Sequence, residues 1–147
     1  ENIALPLALD RVPGAEIEGR VAAMAERLGI SEALGRYPCE VSGGQRQRAA
    51  SARALACGPG LLLADEPTGA LDSKSGRALM ECYASLNASL GNAVLMVTHD
   101  PFAASWAKRA VFLRDGRVFS ELRRTGGRRE FFDRVMEAQA AMEGGGA

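Results

Sequence analysis

Apolar residues at Ile17, Val21, Met24, Ala25 and Leu28 recur at spacings of four, three, one and three, and predict an amphipathic helix over Glu16–Leu28 that Gly29 ends. After a turn containing Gly35, Tyr37 and Pro38, Ser42 stands as the N-cap of an Ala- and Arg-rich helix over Gly44–Cys57, closed by Gly58-Pro59. Leu61–Ala64 is a short apolar run between turn residues and reads as a buried parallel strand. A third helix begins near Ser73, carries Leu79, Tyr83, Leu86 and Leu90 on one face, and stops at Gly91. Ala93–Val97 reads as a second buried strand, and Asp100-Pro101 as the cap and first turn of a short helix. Ala110–Leu113 and Arg117–Leu122 flank Asp115-Gly116 as a hairpin. A last helix over Arg129–Met142 is amphipathic through Phe131, Phe132, Val135 and Met136, and the Gly-rich tail after it reads as disordered.

Strands alternating with helices predict an α/β fold with parallel βαβ units and right-handed crossovers. In such sheets ligands sit at the carboxyl ends of the strands. Asp65-Glu66 and His99 each fall at such an end, so one crevice is expected to hold both.

Composition fits that picture: 47% of the 147 residues are apolar, 24% are charged, and 18 acidic residues balance 18 basic ones. Zero net charge supplies no field to recruit nucleic acid or anionic lipid. Lys108–Arg134 holds nine basic and four acidic residues, which reads as a solvated face rather than a headgroup site. Cys39, Cys57 and Cys82 form no C-x-x-C pair and no pattern with the single histidine, which argues against zinc and against a disulfide framework. No apolar run approaches the roughly 20 residues of a membrane span, and no signal peptide opens the chain. A cytosolic protein is expected. The chain opens at Glu1, directly in an apolar segment, which reads as a fragment.

Three groups of residues invite chemistry. Ser42-Gly43-Gly44-Gln45 places two glycines behind a capping serine at a helix start, where exposed N–H groups and the helix dipole favour a phosphate. Taken alone, it reads rather as a glycine-loosened turn leading into a helix. Asp65-Glu66 at a strand end is alone a solvated loop, and a lone His99 is more often structural than catalytic.

In this order, Val41-Ser42-Gly43-Gly44-Gln45, the Arg-Ala helix behind it, and Asp65-Glu66-Pro67-Thr68-Gly69-Ala70-Leu71-Asp72 resemble the ATP-binding cassette (ABC) ATPases of ABC transporters. Val41 stands where the family's signature usually has leucine. The resemblance implies the distal part of a P-loop NTPase (RecA-like) sheet with an α-helical signature subdomain. It implies that Ser42, Gly43, Gly44 and Gln45 contact ATP held by a second ATP-binding subunit, with Asp72 in the D-loop at that dimer interface. It further implies Asp65 as the Walker B ligand of Mg²⁺ through its water shell, Glu66 as general base, and His99 as the switch histidine at the γ-phosphate. One acidic group is sufficient for Mg²⁺, which keeps several waters.

The expected division is a helical subdomain over 1–57, a distal catalytic core over 58–124 and a C-terminal helix with tail over 125–147. No G-x-x-x-x-G-K-[ST] sequence occurs. Gly14–Val21 has the glycine spacing of such a loop, but Arg20 and Val21 stand where Lys and Ser/Thr are required. In family members the Walker A loop and Q-loop lie upstream, so the chain resembles the part that follows them and is expected to be inactive alone. Asn2–Leu9 resembles the region that meets a permease, and the whole resembles subunits serving macrolide-export, lipoprotein-release and bacitracin-resistance permeases. The expected partners are an FtsX-like or related transmembrane permease and a second ATP-binding subunit, without nucleic acid. The expected place is the inner face of the cell membrane, with antimicrobial-peptide or lipophilic cargo. Two alternatives stand beside this: a non-transport cassette ATPase acting on nucleic acid or ribosomes, and a catalytically silent interaction fragment.

Overall fold

The computed structural model describes residues 1–144. The chain divides into two compact units, one from Glu1 to Met96 and one from Val97 onward. In the first, α1 (Leu5–Leu9), α2 (Gly14–Arg27), α3 (Gly43–Ala56) and α4 (Ser73–Leu90) accompany strands β1 (Leu61–Asp65) and β2 (Ala93–Val97), β2 ending at the unit boundary. The second holds α5 (Pro101–Ala104), β3 (Arg109–Arg114), β4 (Arg117–Arg123) and α6 (Arg128–Gly144).

The predicted stripe of α2 faces inward: Ala25 and Leu28 are buried, and Ile17, Val21 and Met24 are half-buried. The helix starts at Gly14, two residues earlier than the stripe indicated, because the Pro13 carbonyl accepts from the Glu16 and Ile17 N–H groups at 2.9 and 3.0 Å. Gly29 stops it with φ 62°, a left-handed conformation costly to residues bearing a Cβ. Gly14–Val21, excluded as a P-loop despite its glycine spacing, forms the first turns of this helix. The apolar opening segment forms α1, with Pro6 in its first turn and Leu7 buried against the helical cluster. Helices α1, α2 and α3 pack on one another, and α3 also meets α4.

On α4 the face predicted from Leu79, Tyr83 and Leu86 is buried, joined by Met80. The side chain of Leu90 lies outside the described residues. The Tyr83 hydroxyl shares a buried 2.9 Å hydrogen bond with Ser51 of α3, so this polar pair is satisfied within the core. Burial pushes the Tyr83 phenol up, against the opposing pull of that hydrogen bond.

β1 and β2 are hydrogen-bonded neighbours joined through α4, the kind of helical crossover that parallel pairing requires. The expectation that both strands are buried needs correction. Leu62 is 4% exposed, but Leu61, Leu63 and Leu95 are 52%, 69% and 58% exposed. Alternation sends these side chains to the face that nothing described covers.

In the second unit β3 and β4 form the predicted antiparallel hairpin, turning through Asp115 and Gly116 at φ 49° and 72°. Helix α6 lies against both strands and against α5. Of its predicted stripe, Phe131 and Val135 are buried, Phe132 is half-buried, and Met136 points outward. Glu143 and Gly144 of the expected tail are helical, and 145–147 lie outside the described residues.

Candidate functional site

Ser42 caps α3 in extended conformation, and the cap is reciprocal. Its Oγ accepts from the Gln45 N–H at 3.2 Å, and its own N–H donates to Gln45 Oε1 at 2.9 Å. Gln45 was singled out in the sequence for phosphate contact, not for this capping box, which the S-x-x-Q spacing encodes. Arg46 was not singled out at all. Its guanidinium donates to the carbonyls of Val41 and Pro38 at 2.8 and 3.4 Å, fixing the loop that leads into Ser42. Ser42→Ala removes half of the box and is expected to cost about 1 kcal/mol. Chemical denaturation checks this, and an unchanged midpoint would show the cap to be idle.

The first turn of α3 sits against the start of α4. A Cβ on Gly44 would stand in van der Waals contact with Ser75 Oγ at 3.4 Å and Leu71 Cδ2 at 3.5 Å, so the glycine faces the start of α4 directly. Asp72 caps α4: Oδ1 accepts from the N–H groups of Lys74 and Ser75 at 3.0 and 2.9 Å, and Oδ2 accepts from the Ser75 hydroxyl at 2.8 Å. The Ser75 N–H and hydroxyl, with the Lys74 N–H, hold its carboxyl below the usual carboxylate range. A depressed pKa contributes stability that is present above the unfolded value, 3.8, and is lost as pH falls through the folded one. Thermal melts of wild type and Asp72→Ala are therefore expected to differ most above about pH 4 and to converge in stronger acid. A pH-independent gap would contradict the assignment.

Asp65 ends β1 exposed to solvent, and half-buried Glu66 follows at φ 42°, in the left-handed region. A non-glycine residue there is strained, and such strain gathers at functional sites. The turn is closed by the Gly69 N–H on the Glu66 carbonyl at 3.1 Å and the Leu71 N–H on the Thr68 carbonyl at 3.0 Å. Asp65 stands without a cluster of three or more His, Cys, Asp or Glu among the described residues.

His99 belongs to the second unit and follows the end of β2. It is exposed, and its carbonyl accepts from Gln139 Nε2 of α6 at 3.5 Å. Beside it the Asp100 N–H donates to Thr98 Oγ1 at 3.0 Å, and Asp100 Oδ1 caps α5 through the Phe102 N–H at 2.9 Å. Within the first unit the structure thus joins Ser42–Gln45 to the Asp72 turn through Gly44, and sets Asp65 and Glu66 at a strand end.

Residues 1–69 match the family model described as "ABC transporter". The chain is 49% identical over 144 residues to the ABC transporter ATP-binding protein YvcR of Bacillus subtilis, covering 98% of this chain and 56% of YvcR. It is 43% identical over 145 residues to the bacitracin export ATP-binding protein BceA of Halalkalibacterium halodurans, covering 98% of this chain and 57% of BceA. The dimeric structure of MJ0796, a bacterial ABC transporter cassette, superposes with a TM-score of 0.78 at 40% identity, over 86% of this chain and 56% of that one. The chain thus spans a little over half the length of the relatives it matches. Its mixture of helices and strands is the distal part of the P-loop NTPase fold, and with these matches the chain belongs to the family of ABC transporter ATP-binding domains.

Proposed function

We propose that the chain is the signature- and Walker B-bearing part of a subunit that hydrolyses ATP to drive an export permease. The observation that carries this is the placement of the motifs: Ser42–Gln45 at a helix start, Asp65-Glu66 at the end of β1, and His99 just beyond β2. Gly43 and Gly44 offer their N–H groups, Ser42 its hydroxyl and Gln45 its side-chain NH₂ to the triphosphate bound by a second ATP-binding subunit, and Asp72 steadies that face from the adjoining turn. Asp65 would hold Mg²⁺ through water, the ion neutralising charge on the phosphates when bound. Glu66 accepts the proton of the attacking water, and His99 donates a hydrogen bond to the γ-phosphate.

The domain reading that goes with this is a signature subdomain over 1–57, a core over 58–124 and a C-terminal helix beyond. Leu5 and Leu9 of α1, 54% and 74% exposed, support a permease contact there, with an FtsX-like permease as partner. No helix among the described residues is long and apolar enough to cross a membrane. The place that goes with the reading is peripheral, on the permease at the cytoplasmic face. BceA is a bacitracin export protein by name, which supports antimicrobial-peptide cargo.

The test joins this chain to the remainder of YvcR, where the family reading expects the P-loop, and follows phosphate release. The joined protein is expected to hydrolyse ATP, while this chain alone shows no saturable ATP binding in the micromolar range. A joined protein that folds and binds ATP yet releases no phosphate would overturn the reading.

A further inference from the structure

Helix α6 runs beside the segment that carries His99 and holds it at two points. At its start the Arg128 guanidinium lies 5.6 Å from the ring centre of Phe102 in α5 and 4.2 Å from that of Trp106 just beyond it. Three turns later Gln139 Nε2 donates to the His99 carbonyl at 3.5 Å. Arg128, Phe131, Val135 and Gln139 fall at i, i+3, i+7 and i+11, one stripe of the helix, and Phe131 and Val135 within it are buried. The contacts run antiparallel, Arg128 to Trp106 and Gln139 to His99, so the stretch from His99 through α5 to Trp106 lies along this face.

The helix is itself anchored to both strands of the hairpin. Arg134 Nη1 donates to the Arg123 carbonyl of β4 at 3.1 Å, and the Met142 carbonyl accepts from Arg114 Nη1 of β3 at 3.0 Å. Inside the held stretch, Asp100 N–H on Thr98 Oγ1, Phe102 N–H on Asp100 Oδ1 and the Ser105 hydroxyl on the Phe102 carbonyl join residues no more than three apart. Such local bonds shape the loop, whereas a bond from a separate, anchored helix fixes where it stands. Resting on the reading of His99 as the γ-phosphate contact, we propose that Gln139 is a positioning residue for ATP hydrolysis. It places the His99 backbone from α6, and through it the direction in which the imidazole is presented. Misplacement of an orienting group by about 1 Å can cost up to about 100-fold in rate, so one donor suffices to matter.

His99 is the single histidine, so a ¹³C-carbonyl histidine label in the untagged chain gives one resonance that reports this hydrogen bond. Gln139→Leu and Gln139→Glu remove the donor at neutral pH with little change in helix propensity. Each is expected to move the resonance upfield with an unchanged circular dichroism spectrum. Gln139→Arg sets an N–H, at Nε, the same number of bonds from the backbone, and is expected to hold the resonance near its wild-type position. In the joined protein Gln139→Leu is expected to lower kcat roughly tenfold with KM for ATP unaltered, and Gln139→Arg to recover it to within about threefold of wild type. Glu137→Gln, exposed on the same helix, is expected to change neither readout. An unmoved resonance in Gln139→Leu, an unaltered kcat in that variant, or an equal loss of turnover in Gln139→Leu and Gln139→Arg would each overturn the proposal. His99→Ala separates this from the reading it rests on. Turnover lost in His99→Ala but kept in Gln139→Leu removes Gln139 alone, whereas turnover that survives His99→Ala takes the histidine out of the reaction and the positioning role with it.

Discussion

Glu66→Gln in the joined protein is expected to lower ATP turnover by about 100-fold or more, the scale on which a general base contributes, while ATP affinity stays as it was. The substitution keeps size and hydrogen-bonding reach and removes the basic oxygen, so it separates proton acceptance from folding. A second variant exploits the backbone. Glu66 sits at φ 42°, where an L-residue pays about 1–2 kcal/mol that glycine does not. Glycine gives back about half of this through its freer unfolded chain. Glu66→Gly is therefore expected to lose turnover as completely as Glu66→Gln and yet to raise the melting temperature of the chain, whereas Glu66→Gln leaves it unchanged. Phosphate release and thermal melts on the same preparations decide the matter. Turnover within threefold of wild type in Glu66→Gln would remove Glu66 from the base role, and a lowered melting temperature in Glu66→Gly would show that the left-handed turn is not the strained element.

That strain was invisible in the sequence, where Glu66 is one more acid in a turn. What the sequence did reveal are features set within a few residues. The caps at Ser42, Asp72 and Asp100, the stops at Gly29 and Gly91 and the turn at Asp115-Gly116 all form where local chemistry placed them. The α1 helix escaped because five residues carry too little of the 3.6-residue period to be told from an apolar run. The exposure of Leu61, Leu63 and Leu95 escaped for a different reason. An apolar strand states that both faces avoid water, but not which residues cover them, and that depends on contacts far away in sequence. The same holds for Gly44, whose spacing suggested phosphate access while its packing against Leu71 and Ser75 emerged only from the fold. The motifs were legible, their mutual support was not.

Phe131→Ala is expected to cost about 3–5 kcal/mol, the range for removing a buried aromatic ring. Phe131 is 1% exposed on the face of α6 that meets the hairpin and α5, and its neighbour on that face, Val135, is 2% exposed. Native stability runs near 0.05–0.15 kcal/mol per residue, so a unit the size of 97–147 holds only about 3–8 kcal/mol of its own. The ring therefore supplies most of what keeps this unit folded. Met136, one position along the predicted stripe but 45% exposed, makes the matched control: Met136→Ala is expected to stay within about 0.5 kcal/mol of wild type. The readout is built into the chain. Its single tryptophan, Trp106, lies in this unit with the Arg128 guanidinium 4.2 Å above its ring and Phe102 edge-on at 6.3 Å. Loss of α6 from its seat strips Arg128 from that ring and shifts the emission. Urea titration followed by Trp106 fluorescence should show the Phe131→Ala midpoint falling steeply and the Met136→Ala midpoint holding. Equal midpoints for the two variants would mean that the hairpin and α5 keep their structure without the Phe131 ring between them.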